Sequence, residues 1–526
     1  MTPLICRSIC ALALTLSLAI AAPVAGAKVL RLEVTSTSAY GRFTPGEFVR
    51  IEGTAHGELD PSEKIPGLQR APRSASGGVA YQAPFVIIAP TLTTKGNGAL
   101  LIDVPNRGRP ISHFLYNSRR ENFQPLALDA RNGFLQHQGF AVAVVQWELG
   151  QGIALPSFTD ETGTKRFVEG VGLAAIRDVA DFLRNATGTG NPLAGRVDRV
   201  LGVGYSQTAR LLKSMLVEGF NHADGRRVFD GLHIHASASG LADVMATGPG
   251  PASSTFFTPR FSAPEHRGVT EEPLSYAAIS ERAANIAKAG ATTAATTTAA
   301  TAAAALPKML VTNTTTDYYN IRASLSRTGA SGLADVTVPP HVRIYDIAGA
   351  SHGRAAEQKC DHPPGQLDFF PVMRATLVNL DSWVRQGSTP PPSRLMPLQP
   401  QPSEPTLLQA PRHLPGAIVQ VPLRDADGNS LGGVRLPELA VPLGTHGAQN
   451  PPLADRGCNL DAAYIAFAKT RVARRPADTR PSVEERYPSK DAYTRRIERA
   501  AQRLVAERLM LRQDVAPIVE AAGRAY

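Results

Sequence analysis

Ser206, Asp317 and His352 are the residues whose types and order point to acyl-transfer chemistry. A serine hydroxyl is a weak nucleophile at neutral pH. It needs a neighbouring base, and the base needs an acid to orient it. Ser206 lies in Gly204-Tyr205-Ser206-Gln207-Thr208, after the apolar run Val200, Leu201, Gly202, Val203. A helical pattern follows, with Leu211, Leu212, Met215 and Leu216 on one side. A strand, a tight turn with serine at its tip, then a helix is the context that gives G-x-S-x-G its meaning. The turn strains the serine backbone and lifts the hydroxyl above the strand ends. Small residues are needed two before and two after, where strand and helix backbones nearly touch. Gly204 meets that need, whereas Thr208 is larger than the usual glycine. The competing reading is a serine that only caps the helix.

Asp317 and His352 each follow a predicted strand. Asp317 lies in Thr314-Thr315-Thr316-Asp317-Tyr318, and His352 in the glycine-flanked loop Gly349-Ala350-Ser351-His352-Gly353. The order serine, acid, histidine is that of a nucleophile-elbow hydrolase, with all three loops opening at one end of the sheet. His352 would take the Ser206 proton and return it to the leaving alcohol, while Asp317 holds the imidazole. Asp243 is an alternative acid; Asp346 lies within a strand and fits worse. The developing oxyanion needs two donors. One is expected from the N–H of Gln207, the other from Asn106 or Arg107 in the loop after the strand at 99–104. Arg107 could instead tie that loop down. This chemistry needs no cofactor. His113, His233, His235 and His362 show neither H-x-x-x-H nor H-E-x-x-H spacing. His233 and His235 share one face of a strand, a pairing open to a metal but without evident carboxylate support.

Positioning such loops takes strands that alternate with helices, which implies a mostly parallel sheet wrapped on both faces. Strand patterns fall at 29–35, 48–53, 79–88, 99–104, 140–146, 200–203, 232–236, 309–313 and 342–348. Helical patterns fall at 165–185, 209–216, 275–289, 370–385 and 489–512, the last capped by Ser489. Residues 243–306 interrupt the alternation and read as a lid-like insertion, ending in an Ala/Thr tract at 291–305. A proline-rich stretch follows residue 387, so the expected organisation is a domain at 28–388 and a C-terminal extension at 389–526 packed on it. Asp425-Ala426-Asp427-Gly428-Asn429 hints at a calcium loop, but the glutamate such a loop needs is missing, and a polar turn fits better.

The chain has 526 residues, 43% of them hydrophobic and 19% charged, with a formal charge of +10. Much of the excess lies late in the chain, at Arg471, Arg474, Arg475, Arg480, Arg495, Arg496, Arg499 and Arg503, interleaved with Glu484, Glu485, Glu498 and Glu507. That pattern reads as a solvated helical face with internal ion pairs. It offers neither a recognised module nor interleaved aromatics for nucleic acid. Residues 1–27 read as an export signal: Arg7, an apolar run too short to span a bilayer, and Ala25-Gly26-Ala27 as cleavage site. No other stretch reads as a membrane anchor. Cleavage would leave Cys360 and Cys458, an even count that implies one disulfide in an oxidising compartment.

The chain resembles a family of bacterial α/β-hydrolase domain proteins. The matching segments are VPNRG (104–108), GYSQTARLLKSMLVEGFN (204–221), VFDGLHIHASAS (228–239), TNTTTDYY (312–319), VRIYDIAGASHG (342–353) and DTRPSVEERYPSKDAY (478–493). The resemblance implies the α/β-hydrolase fold and a Ser-acid-His triad. Serine or glycine is usual in that family where Thr208 stands, glutamate where Asp317 stands, and the Ala/Thr tract is an addition. The expected function is an exported serine hydrolase acting on a small-molecule carboxylic ester. The alternatives are acyl transfer with the same triad and a non-catalytic binding protein on a hydrolase scaffold.

Overall fold

The computed structural model describes residues 29–118, 128–237, 239–242, 244–245, 247–248, 274–289, 306–353, 360–365, 367–400, 418–452 and 456–526. The expected signal segment, the Ala/Thr tract and Asp243 lie outside them. The centre is a nine-stranded sheet. Its strands are β1 (Val29–Phe43), β2 (Gly46–Leu59), β3 (Val79–Pro90), β4 (Ala99–Asp103), β5 (Ala141–Val145), β6 (Arg199–Tyr205), β7 (Gly231–His235), β8 (Lys308–Thr314) and β9 (Val342–Ile347). Across the sheet the order is β1-β2-β3-β5-β4-β6-β7-β8-β9. The first three are antiparallel, and β3 meets β5 antiparallel. From β5 onward every neighbouring pair is parallel. The parallel strands β4 and β5 are buried at every position, as strands covered on both faces must be.

Helices cover both faces. In chain order they include α1 (Ser112–Asn117), α2 (Val171–Asn185), α3 (Gln207–Val217), α4 (Tyr276–Ala289), α5 (Thr315–Asn320), α6 (Phe370–Gln386), α7 (Lys490–Ala506) and α8 (Val515–Ala525). Side-chain alternation splits the core in two. Leu100, Ile102 and Val200 pack with Leu173, Ile176, Leu211 and Ile279 of α2, α3 and α4. Leu101, Leu201 and Val203 pack with Phe114 of α1 and with Phe370, Leu377 and Leu380 of α6. The same second core takes in Ile497 and Leu504 of α7 and Ile518 of α8. Residues beyond 389 thus complete the hydrophobic layer outside α6. Arg374 of α6, buried to 1% exposure, reinforces the junction through Nη2 to Asp514 Oδ1 at 2.7 Å.

Several local expectations change. Lys165–Val168 is a strand paired with Ser157–Thr159, and helix α2 begins only at Val171. The stretch 243–306 is not wholly an insertion. Its helix α4 buries Tyr276, Ile279 and Ala283 in the core and lies in the connection between the parallel strands β7 and β8, as a crossover helix does. The helix capped by Ser489 stops at Ala506, and the chain turns back at Arg508, φ 57°, into α8. The C-terminal glutamates pair between segments instead of along α7: Glu507 with Arg394 at 3.0 Å and Glu485 with Arg474 at 3.6 Å. Asp425-to-Asn429 is a tight turn, with Asp425 Oδ1 accepting from Asp427 and Asn429 N–H, while Asp427 holds Arg486. Among the described residues no helix is long and apolar enough to cross a membrane.

Candidate active site

Ser206 stands between β6 and α3 with φ 56° and ψ −109°, a conformation rare for a side-chain-bearing residue. Its N–H donates to His235 O at 2.9 Å, which anchors the turn to β7. Close approach explains Gly204, since a Cβ there would lie 2.5 Å from Thr208 O. Thr208 is accommodated because its side chain is part of the turn. Its Oγ1 accepts from Tyr205 N–H at 3.1 Å and donates to Tyr205 O at 3.3 Å. The Ser206 side chain makes no cap hydrogen bond to α3, unlike a simple N-cap serine.

The hydroxyl meets His352 instead, with Oγ 3.1 Å from Nε2. On the far side of the ring, Nδ1–H donates to Asp317 Oδ1 at 2.5 Å. Asp317 is fully buried and His352 is 5% exposed. The capping box that starts α5 fixes the acid: Asp317 Oδ2 accepts from Thr314 N–H at 2.6 Å, and Thr314 Oγ1 accepts from Asp317 N–H at 3.3 Å. This geometry brings an aspartate carboxylate to the imidazole where the resemblance leads one to expect the longer glutamate. The two loops are also bonded to each other, Gly349 N–H to Thr315 Oγ1 at 2.7 Å and Thr316 Oγ1 to Ala350 O at 3.2 Å. Asp346 takes no part. It accepts from Tyr318 Oη at 2.8 Å and Arg327 Nη1 at 3.1 Å.

On the oxyanion side, Gln207 is the first residue of α3, where N–H groups lack intrahelical acceptors and the helix dipole favours negative charge. Asn106 is placed next to it but does not offer the expected backbone donor. Its N–H donates to Arg109 O at 2.8 Å, and its Nδ2 donates to Tyr205 O at 2.7 Å. Arg107, in a left-handed turn at φ 52°, donates from Nη1 to Asn106 Oδ1 at 2.7 Å, the tie-down reading of its side chain. Glu148 accepts from Gln207 Nε2 at 2.9 Å, and burial raises its pKa above the ordinary carboxylate range.

His233 and His235 do share a face of β7, but their nitrogens serve a hydrogen-bonded chain. His233 Nδ1 lies 2.6 Å from Tyr116 Oη, and Thr312 Oγ1 lies 3.0 Å from His233 Nε2 and 2.8 Å from His235 Nδ1. Burial pulls the His235 pKa down to about 4. His113 bonds to Gln136 Nε2 at 3.0 Å, and His362 lies in the segment that pairs with Asn450. No group of three or more His, Cys, Asp or Glu able to hold a metal occurs among the described residues. Cys360 and Cys458 form the expected disulfide.

A family model described as "Alpha/beta hydrolase domain" matches residues 127–520, more than half of the chain. The chain belongs to the alpha/beta hydrolase domain family. The match crosses residue 389, so this chain shares with its family much of the region set apart by sequence as an extension. Among solved structures it is similar to the glucuronoyl esterase from Solibacter usitatus (15% identity, 61% of this chain and 83% of that one, TM-score 0.26). It is also similar to a glucuronoyl esterase from Teredinibacter turnerae (12%, 62% and 75%, TM-score 0.28). A third is the rice cell wall degrading esterase LipA from Xanthomonas oryzae (12%, 60% and 90%, TM-score 0.27). No curated protein gives a significant match.

Sequence reasoning passes over three groups around this candidate site. Tyr205, between glycine and serine in the elbow, donates its hydroxyl to His352 O and stacks on His235 with ring centroids 5.0 Å apart. Glu148 lies just after a buried strand, a position that could have flagged it. Asp461, which bonds Ser351 Oγ at 2.9 Å, carries no local signal, because its partner is 110 residues away.

Proposed function

We propose that this protein is an exported serine hydrolase that cleaves carboxylic esters of small molecules through an acyl-Ser206 intermediate. The observation that carries the reading is the continuous chain Ser206 Oγ, His352 Nε2, His352 Nδ1, Asp317 Oδ1, with links of 3.1 and 2.5 Å, ending on a serine at a strained elbow. The carboxylate accepts a hydrogen bond from Nδ1–H, which keeps the proton on that nitrogen, so neutral His352 presents Nε2 as the acceptor for the serine proton. Ser206 Oγ attacks the ester carbon as His352 takes that proton. The carbonyl oxygen becomes an oxyanion, and we assign its donors to the backbone N–H groups of Gln207 and Arg107. His352 then protonates the leaving alcohol. In the second half a water gives its proton to His352 and its oxygen to the acyl carbon, and the acid departs as Ser206 recovers its proton. Asp317 holds the tautomer and offsets the imidazolium charge. The export part of the reading is supported by the Cys360–Cys458 disulfide, a bond kept in oxidising compartments.

Labelling with a fluorophosphonate, followed by peptide mapping, tests the site. The expected result is an adduct on Ser206 that is absent in His352→Ala. Ser206→Ala should remain folded and lose about 10⁴-fold or more in ester kcat. A folded wild-type protein that takes up no label, or an active Ser206→Ala, would remove the reading.

A further inference from the structure

The loop that carries His352 is weakly constrained by its own sequence. It is flanked by Gly349, at φ 72°, and by Gly353. A distant segment of the chain, 458–462, grips it. Gly353 N–H donates to Leu460 O at 2.9 Å. Ser351 Oγ donates to Asp461 Oδ1 at 2.9 Å and accepts from Ala462 N–H at 3.0 Å. Asp461 is fully buried, and the same oxygen accepts from Ala462 N–H at 2.8 Å and Gly365 N–H at 3.3 Å. Asn320, at the end of the helix that carries Asp317, donates to Asn459 O. The chain beyond the loop is held as well. Asp361 N–H donates to Pro451 O at 2.7 Å, Asn450 Nδ2 donates to His362 O at 2.9 Å, and Tyr464 N–H donates to Pro363 O at 2.8 Å. The disulfide joins Cys360 to Cys458, the buried first residue of the gripping segment.

We propose that Asp461 is a positioning residue for His352, and that the disulfide keeps the segment bearing it in place. The proposal rests on the reading of His352 as the base for Ser206. Asp461 touches no reacting atom. It holds Ser351, the residue before the histidine, from one side while Leu460 holds Gly353 from the other. A base displaced by about 1 Å loses on the order of 10²-fold in rate, so a brace this close to the imidazole bears on kcat. Substrate affinity is set elsewhere and should hardly change.

The test is ester kinetics on purified full-length variants, each first shown by circular dichroism to be folded at the assay temperature. Asp461→Ala should lower kcat by about 10- to 100-fold with KM within about twofold. Asp461→Asn keeps an acceptor oxygen for Ser351 and should recover most of that loss. If Asp461→Ala does not fold, Ser351→Ala carries the test, with an expected loss of about tenfold. Wild-type kcat in folded Asp461→Ala or Ser351→Ala overturns the proposal, as does a change confined to KM. Reduction by dithiothreitol should slow fluorophosphonate labelling of the wild type and leave the rate of a Cys360→Ser/Cys458→Ser double variant unchanged. Unchanged wild-type labelling after verified reduction removes the disulfide from the brace. The two readings fail differently. If Ser206 labels in the wild type and in Asp461→Ala at one rate, only the brace falls. If the folded wild type never labels, the serine reading falls and takes the brace with it.

Discussion

Thr208 shows how one side chain can replace the usual glycine of an elbow. The position beside Gly204 is tight, and a threonine hydroxyl fits there because it bonds both Tyr205 N–H and Tyr205 O. Thr208→Val preserves the shape and removes the hydroxyl. It leaves a strand-end N–H without its partner, at a cost of about 1–3 kcal/mol. The expected outcome is a lower urea midpoint with Ser206 still open to fluorophosphonate. An unchanged midpoint would show that the hydroxyl is dispensable and that Thr208 is tolerated for its size alone.

Helix α6 joins two parts of the molecule, since it packs on the sheet and shares a hydrophobic core with α7 and α8. Its buried Arg374 gives Asp514 three contacts of 2.7 to 3.2 Å and donates from Nη1 to Ser118 O at 2.7 Å. Arg374→Met keeps apolar bulk but strands the Asp514 carboxylate, so a loss of about 3–5 kcal/mol is expected in urea unfolding. Adding Asp514→Leu should restore part of it, because the desolvated charge is then gone. A double variant no better than the single one would place the cost in lost packing. Because the segment bracing His352 belongs to the same C-terminal region, the single variant should also lose activity before it loses its secondary structure.

Over the whole molecule, buried histidines set the response to acid. Burial pulls His113 down to about 3, and His235 and His341 down to about 4. Unfolded histidine has a pKa near 6.5. Between those values the unfolded chain binds protons that the folded chain refuses. Their contribution is intact above about pH 6.5 and is lost as pH falls toward 4. Asp103 acts with the opposite sign. Burial pushes it up to about 6, so the folded chain takes its proton first and gains relative stability as pH falls from there. Burial lowers His222 and His233 in the same way, and raises Glu148, Glu218 and Asp346 as it does Asp103. Unfolded histidine titrates inside the window and unfolded carboxylates titrate below it, so the lowered histidines predict net destabilisation between pH 6.5 and 5, with a ceiling of about 2 kcal/mol per histidine. Urea midpoints at pH 7.5 and 5 measure it. A midpoint that rises at pH 5 would contradict these assignments.

The sequence alone determined the local order of the site. Ser206, Asp317 and His352 follow buried strands in one chain order, and parallel strands put the loops after them at one end of the sheet. The apolar runs and the even cysteine count were similarly readable, because burial and redox pairing leave compositional marks. Tertiary structure decided what depends on pairing across distance. The Asn106 N–H, expected to face the oxyanion, is engaged by Arg109 O. The helix before the Ala/Thr tract, read by sequence as part of an insertion, belongs to the core, because α3 packs on it and His341, just before β9, bonds Ser280, whatever follows it in sequence. Asp461 meets Ser351 across 110 residues, and Asp514 meets Arg374 across 140. A carboxylate in a polar stretch has no local pattern that names its partner. Only the closure of the C-terminal region over α6 and the histidine loop brings these groups together, and the burial that results is what gives them their energetic weight.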